Sequence, residues 1–335
     1  MLRPHIPNRP RGVPGAIPSL PSMLGGRGDD THWDLAWAFY EEDRVLEAMD
    51  QALRAGHTAI DGGQWFRLIE AEAVTRQHSV TIELTDRLEF EYIPGELDGE
   101  HGEIGRLIAE ACDEVESRLG LRLPGKARVA ILAEEVQNPW TVDPDGYCTA
   151  KVPYSKICLP AYLLDDWGEL AGAVRHEYTH ALADQVGDVP IPSWVQEAVA
   201  MVMEGDPVDP VSGDGFELRA ELDAEEGFGG WDWLGPAELE AAFREGRTEE
   251  DDERVWGPYR QAEILGLEMV RAGGETSLGT FMRSAAKNRG LAEVAARLVG
   301  RDGTDLALRE VYGWSTRELF ERGRERWASV YGASG

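Results

Sequence analysis

The pentapeptide His176-Glu177-Tyr178-Thr179-His180 constrains this chain more than any other stretch of it. Positions i and i+4 lie on one face of an α-helix, about one turn apart, so a helix here lets both imidazoles reach a single point. Two nitrogen donors at that spacing suit one Zn²⁺ ion, and the glutamate after the first histidine stands beside them to hold a water on the metal. With seven histidines in 335 residues, the pattern arises by accident in roughly 1–2 % of chains of such composition. The residues that follow it must carry the rest of the argument.

A catalytic zinc takes three protein ligands and keeps a further position for water. One class of HExxH proteins finds its third ligand in a histidine shortly beyond the second, with a glycine at the bend between them. Here those two positions hold Val186 and Ala183, which excludes that class. The other solution is a glutamate on the next helix, and Pro192-Ser193-Trp194-Val195-Gln196-Glu197-Ala198 offers one. Ser193 with Gln196 reads as a capping box, which predicts a helix from Trp194 with Glu197 in its first turn. A short loop from Gly187 to Pro192 then folds this helix back on the first and brings Glu197 to the imidazoles, giving His176, His180 and Glu197 as ligands of one Zn²⁺ per chain. The competing reading makes Glu197 a carboxylate that stabilises a helix N-terminus through the macrodipole.

The pattern along the chain predicts an α+β fold in which the sheet precedes the metal helix and helices follow it. Residues 1–30 are rich in proline and glycine and read as a disordered leader. Apolar residues at helical spacing run from Trp33 to Ala55 and form, with the rest of 31–78, an N-terminal helical segment. Alternation over Ser79–Leu84 and Leu88–Ile93 predicts a strand pair. A helix from Ile104 to Leu119, a strand from Ala127 to Leu132 and an extended pair within Tyr147–Leu159 come next, and the HExxH helix runs from near Trp167 to Val186 with Gly187 as its C-cap. Helices are expected at about 194–204, 236–244, 258–272, 277–288, 290–299, 304–312 and 315–329. The run Glu249–Arg254 reads as a solvated loop. A sheet subdomain over 79–186 and a helical one over 187–330 would make up a domain of 79–335.

Charge narrows the partners. Sixty-two acidic residues against 33 basic ones leave a net charge of −29, a surface that repels nucleic acid and anionic membranes. No stretch approaches the length of a membrane helix, and the N-terminus lacks the apolar core of a secretory signal. Three cysteines, Cys112, Cys148 and Cys158, fit buried free thiols better than a disulfide framework, although Cys148 and Cys158 stand where a hairpin pairing is conceivable. A cytoplasmic protein is the expectation.

HEYTHALAD followed by PSWVQEAVA resembles the gluzincin pattern of the thermolysin-like and M1-aminopeptidase-like superfamily, and is most similar to small bacterial peptidase MA-like domains. The resemblance extends over roughly 79–330, through Trp256-Gly257-Pro258-Tyr259-Arg260-Gln261-Ala262, which looks like a segment that opens a helix in those proteins, to Phe320 and Trp327. It implies a zincin-like fold, with an N-terminal mixed β-sheet and helices, the HExxH active-site helix and a mostly helical C-terminal part. Two departures stand out: Ala198 replaces the commoner glycine after the ligand glutamate, and the segment that defines the aminopeptidases is absent.

What the resemblance implies chemically is a zinc-dependent endopeptidase acting on a peptide or protein. Zinc lowers the pKa of its water and polarises the scissile carbonyl, and Glu177 accepts the proton and passes it to the leaving amine. Tyr259 matches the position that donates to the oxyanion in M1-like enzymes, against the plainer reading of a core tyrosine at a helix start. Ile157–Leu159 is a candidate for the edge strand that pairs with substrate. Asp184 is a candidate partner for an imidazole, or else an exposed carboxylate; Thr179 and Trp194 read as packing. Two other function classes stay open: a metallohydrolase of a non-peptide bond, and a scaffold that keeps zinc without catalysis.

Overall fold

The computed structural model describes residues 30–56, 63–97, 99–133, 146–151, 154–205, 232–244, 252–287, 290 and 302–330. Along the chain come α1 (Asp30–Glu41), α2 (Val45–Arg54), α3 (Gly63–His78), β1 (Val80–Glu83), β2 (Leu88–Tyr92), α4 (His101–Leu119), β3 (Lys126–Ile131), β4 (Tyr147–Ala150), β5 (Tyr154–Leu159), a 3₁₀ turn (Ala161–Asp165), α5 (Trp167–Gln185), α6 (Ser193–Glu204), α7 (Pro236–Arg244), α8 (Asp252–Gly273), α9 (Glu275–Ala285), α10 (Gly303–Tyr312) and α11 (Thr316–Val330). The fold is α+β. Its one described sheet has the order β1-β2-β3-β5-β4, with β2–β3 and β3–β5 parallel and both outer pairs antiparallel.

The central strands are covered on both faces, so the sheet is the middle of three layers. Ala127, Val129 and Ile131 of β3, with Ile157 and Leu159 of β5, enter the main core with α4, α5 and α6. The alternate residues Ala130 and Cys158 point the other way and pack with Tyr40, Leu68 and Ile69 of α1 and α3. Period-two alternation on strands buried from both sides produces this arrangement. The N-terminal helices therefore share a core with the sheet.

Several expectations need correction. The helix expected from Trp33 to Ala55 is two helices. Asp43 breaks it in a left-handed conformation, φ 58°, a cost met by its carboxylate reaching Arg76, Arg128 and Tyr154 across the fold. Helix α3 lies within the helical segment expected over 31–78, where apolar spacing alone marks no bounds for it. Its sheet-facing side carries Glu72 and Thr75, both buried, and these polar residues erase the apolar periodicity. Gly187 is not a left-handed C-cap, since Val186 takes the C-cap position in right-handed geometry. Gly187 is required by contact instead: a Cβ there would stand 2.5 Å from the carbonyl oxygen of Ala286. Helix α8 opens at Asp252, so Asp252–Arg254 are helical and Pro258 lies inside the helix. The expected helix at 290–299 and the leader before Asp30 fall outside the described residues, apart from Gly290. Among the described residues no helix is long and apolar enough to cross a membrane.

Candidate metal centre

Helix α5 begins with an N-cap, Asp166, whose carboxylate accepts from the Gly168 and Glu169 amides. From there the i, i+4 spacing sets His176 and His180 side by side, with their Nε2 atoms 3.2 Å apart. The loop after α5 is tied down by Asp188 and Val189, whose amides both donate to Ala286 O. It returns the chain so that Glu197, in the first turns of α6, faces both rings: Oε2 is 3.4 Å from His176 Nε2 and Oε1 is 3.6 Å from His180 Nε2. All three side chains are buried.

These spacings can be tested against a metal. A tetrahedral ion with bonds of ~2.0–2.1 Å sets its donors about 3.3–3.4 Å apart. The two imidazole nitrogens, 3.2 Å apart, and Glu197 Oε2, 3.4 Å from His176 Nε2, lie near that edge length, while the other carboxylate oxygen is 3.6 Å from His180 Nε2. Two nitrogens and one oxygen are the donor set of a catalytic zinc site. Among the described residues His176, His180 and Glu197 are the group of His, Cys, Asp and Glu side chains whose ligand atoms converge within 4.8 Å of one another. The residues fit the ion.

Helix α6 is held at both ends. Its N-cap is Pro192 and not Ser193, which is already helical, so the expected capping box does not form. The orphan amide of Trp194 finds Glu240 Oε2 of α7 at 3.2 Å instead. At the other end Arg118 donates to the carbonyls of Val202, Met203 and Gly205, and Arg175 to those of Met203 and Glu204. Two guanidinium groups thus satisfy the open carbonyls at the negative end of the helix dipole.

The imidazoles are oriented by residues that sequence reasoning assigned elsewhere or passed over. His176 Nδ1 lies 3.2 Å from Glu204 Oε2, and His180 Nδ1 lies 3.5 Å from Gln196 Oε1. Gln196 also donates to Ile191 O at 2.8 Å, which fixes the amide so that its oxygen faces the ring. The available signal was helical spacing: Glu204 stands two turns after Glu197 on the same helix face. Asp184, a candidate partner or else an exposed carboxylate by its sequence, is half-buried, and the Cys148 thiol is pushed up by burial and then by Asp184 and Glu177.

The same thiol locates β4 next to Glu177. Glu177 is buried, and a Cβ placed on Gly146, just before β4, would lie 3.3 Å from Glu177 Cγ. Among the described residues the sheet edge near the site is β4; β5, which contains Ile157–Leu159, is interior and paired on both sides. Lys151 N donates to Tyr154 O, so alternation along the hairpin points the backbone N–H and C=O of Cys148 and Ala150 away from β5. Cys148 sits opposite Ile157 and Cys158 opposite Tyr147. The two thiols occupy opposite faces, and all three cysteines are free.

Tyr259 lies in α8, buried, with its ring edge-on to Phe243 at a centroid distance of 5.0 Å. Thr179 donates to Arg175 O and Trp194 packs edge-on against Phe320, so both act in packing and local bonding. Of the remaining histidines, His32 contacts Gln51, His101 stacks on Tyr92 and His78 is exposed; His5 and His57 lie outside the described residues. Compared with known proteins, the chain matches no protein-family model and no curated protein.

Proposed function

We propose that this protein is a zinc-dependent peptidase of the gluzincin type, with the zincin-like arrangement that its sequence resembles. The observation that carries the reading is the buried convergence of His176, His180 and Glu197 at donor spacings suited to a tetrahedral ion. His176, His180 and Glu197 would hold the zinc, which when bound would supply Lewis-acid chemistry, lowering the pKa of a water and polarising the carbonyl under attack. Glu177, next to His176 on α5 and against β4, accepts the water proton and delivers it to the leaving amine. Tyr259 donates to the developing oxyanion. The outward backbone groups of Cys148 and Ala150 on β4 receive an extended peptide as an added strand.

The test combines metal analysis with a broad peptide-library assay, run with and without chelator. Glu177→Gln keeps the shape and polarity of the side chain and removes the base. That variant is expected to hold one zinc per chain and to lose nearly all hydrolysis. Absence of stoichiometric zinc in the parent, or parental cleavage by Glu177→Gln, overturns the reading. Bound zinc with no peptide cleaved would shift it to a non-peptide bond or a zinc-keeping scaffold.

A further inference from the structure

Lys151 is a buried cation that the reaction above does not use. Its backbone amide closes the β4–β5 hairpin on Tyr154 O. Its ammonium lies 2.9 Å from the carbonyl oxygen of Tyr40, over the ring of the same tyrosine, and 3.6 Å from Glu72 Oε2. The Tyr40 carbonyl belongs to the last turn of α1, the negative end of that helix, and the Tyr40 hydroxyl donates to Glu72 on α3. One ammonium is thereby gripped by a helix terminus, an aromatic face and a carboxylate from two different helices.

The grip falls on a strand with two working faces. Tyr147 of β4 packs toward α1 and α3, whereas Cys148 faces Glu177 and Asp184. An apolar side chain would serve packing alone at lower desolvation cost than a buried ammonium. We propose that Lys151 is a positioning residue, which pins the end of β4 to the N-terminal helical layer and so fixes the strand against Glu177 for reading an extended peptide. This role rests on the peptidase reading, and it gives α1 and α3 a part in the site.

The three thiols supply a test. Cys148 is half-buried on β4, Cys158 is buried on β5 opposite Tyr147, and Cys112 is buried on α4 away from the hairpin. Residue-resolved alkylation of the full chain, with Cys112 as the reporter of global unfolding, therefore follows β4 separately from it. In Lys151→Met, Cys148 alkylation is expected to rise on the order of tenfold or more, the scale of losing one charge-assisted bond from a local opening. Cys112 should keep its parental rate. Zinc content should hold, KM should rise about as much, and kcat should stay within about twofold. Lys151→Gln retains a donor for the Tyr40 carbonyl and should fall between Met and parent; it carries the same comparison if the Met variant does not accumulate. Parental Cys148 reactivity, or acceleration of Cys112 together with Cys148, overturns the clamp. If the parent cleaves no peptide, the peptidase reading fails on its own and the thiol rates still decide whether β4 is pinned.

Discussion

Glu204 holds His176 from Nδ1, the ring nitrogen opposite the proposed ligand atom, and Arg175 and Arg118 hold the backbone that carries Glu204. Such partners fix ring orientation and raise the basicity of a ligand imidazole. Glu204→Ala should therefore weaken zinc binding by about 10- to 100-fold, read by titration against a competing chelator, while the fold survives. Unchanged affinity would reduce Glu204 to a helix-end carboxylate. Tyr259 allows a sharper division, because Tyr259→Phe deletes only the hydroxyl and leaves the edge-on contact with Phe243. Its kcat should fall by about 10²–10³ with zinc content and thermal midpoint close to normal. A lower midpoint with normal kcat would return Tyr259 to the core.

Glu197 is delivered by an interface between helices. Where α8 crosses α6, a Cβ on Gly266 would lie 2.3 Å from Ala198 O and 2.7 Å from Val202 Cγ2. The first of these is backbone and cannot rotate aside. Ala198 follows Glu197 directly, so a small residue after the proposed ligand and a glycine on the crossing helix together allow the approach. Gly266→Ala should force the helices apart at a cost of about 1–3 kcal/mol, with a lower denaturation midpoint and weakened zinc binding in the same protein. A variant as stable and as tight for zinc as the parent would show that α8 does not set the place of α6.

Across the molecule the acidic surplus is carried outside a balanced interior cluster. Between the N-terminal helices and the sheet, Asp43, Glu72, Glu89 and Glu91 meet Arg76, Arg128, Lys151 and Lys156. Burial alone would raise the Asp43 carboxyl, but Lys156, the Tyr154 hydroxyl and Arg76 outweigh it and hold it at about 2, below its ordinary 3.8. A carboxyl depressed on folding contributes stability that is present above its unfolded pKa and lost as pH falls through its folded one. The window is therefore roughly pH 4 down to 2, and the contribution at neutral pH is about 2 kcal/mol. Asp43→Asn suits the test because asparagine also accepts left-handed backbone. Urea unfolding should find it less stable than the parent by about that amount at pH 7, with the gap closing toward pH 2. An equal gap at both ends of the window would show that charge is not what holds the turn.

Much of this was legible in residue order because it rests on local geometry. The i, i+4 spacing, the strand alternation and the C-terminal run of helices all follow from helical and pleated periodicity acting over a few residues. Long-range contact supplied the rest. The bounds of α3 within the expected helical segment escaped because Glu72 and Thr75, polar by type, are buried against strands far along the chain. Gly187 and Gly266 look like ordinary breakers until Ala286 and Ala198 approach them. Glu204, Gln196 and Glu240 take their roles from which ring or amide they meet after α5, α6 and α7 have packed. The order of strands made β4 the edge in place of β5, since pairing partners are set by how the layers assemble, and hydrophobic pattern along a strand does not encode its neighbour.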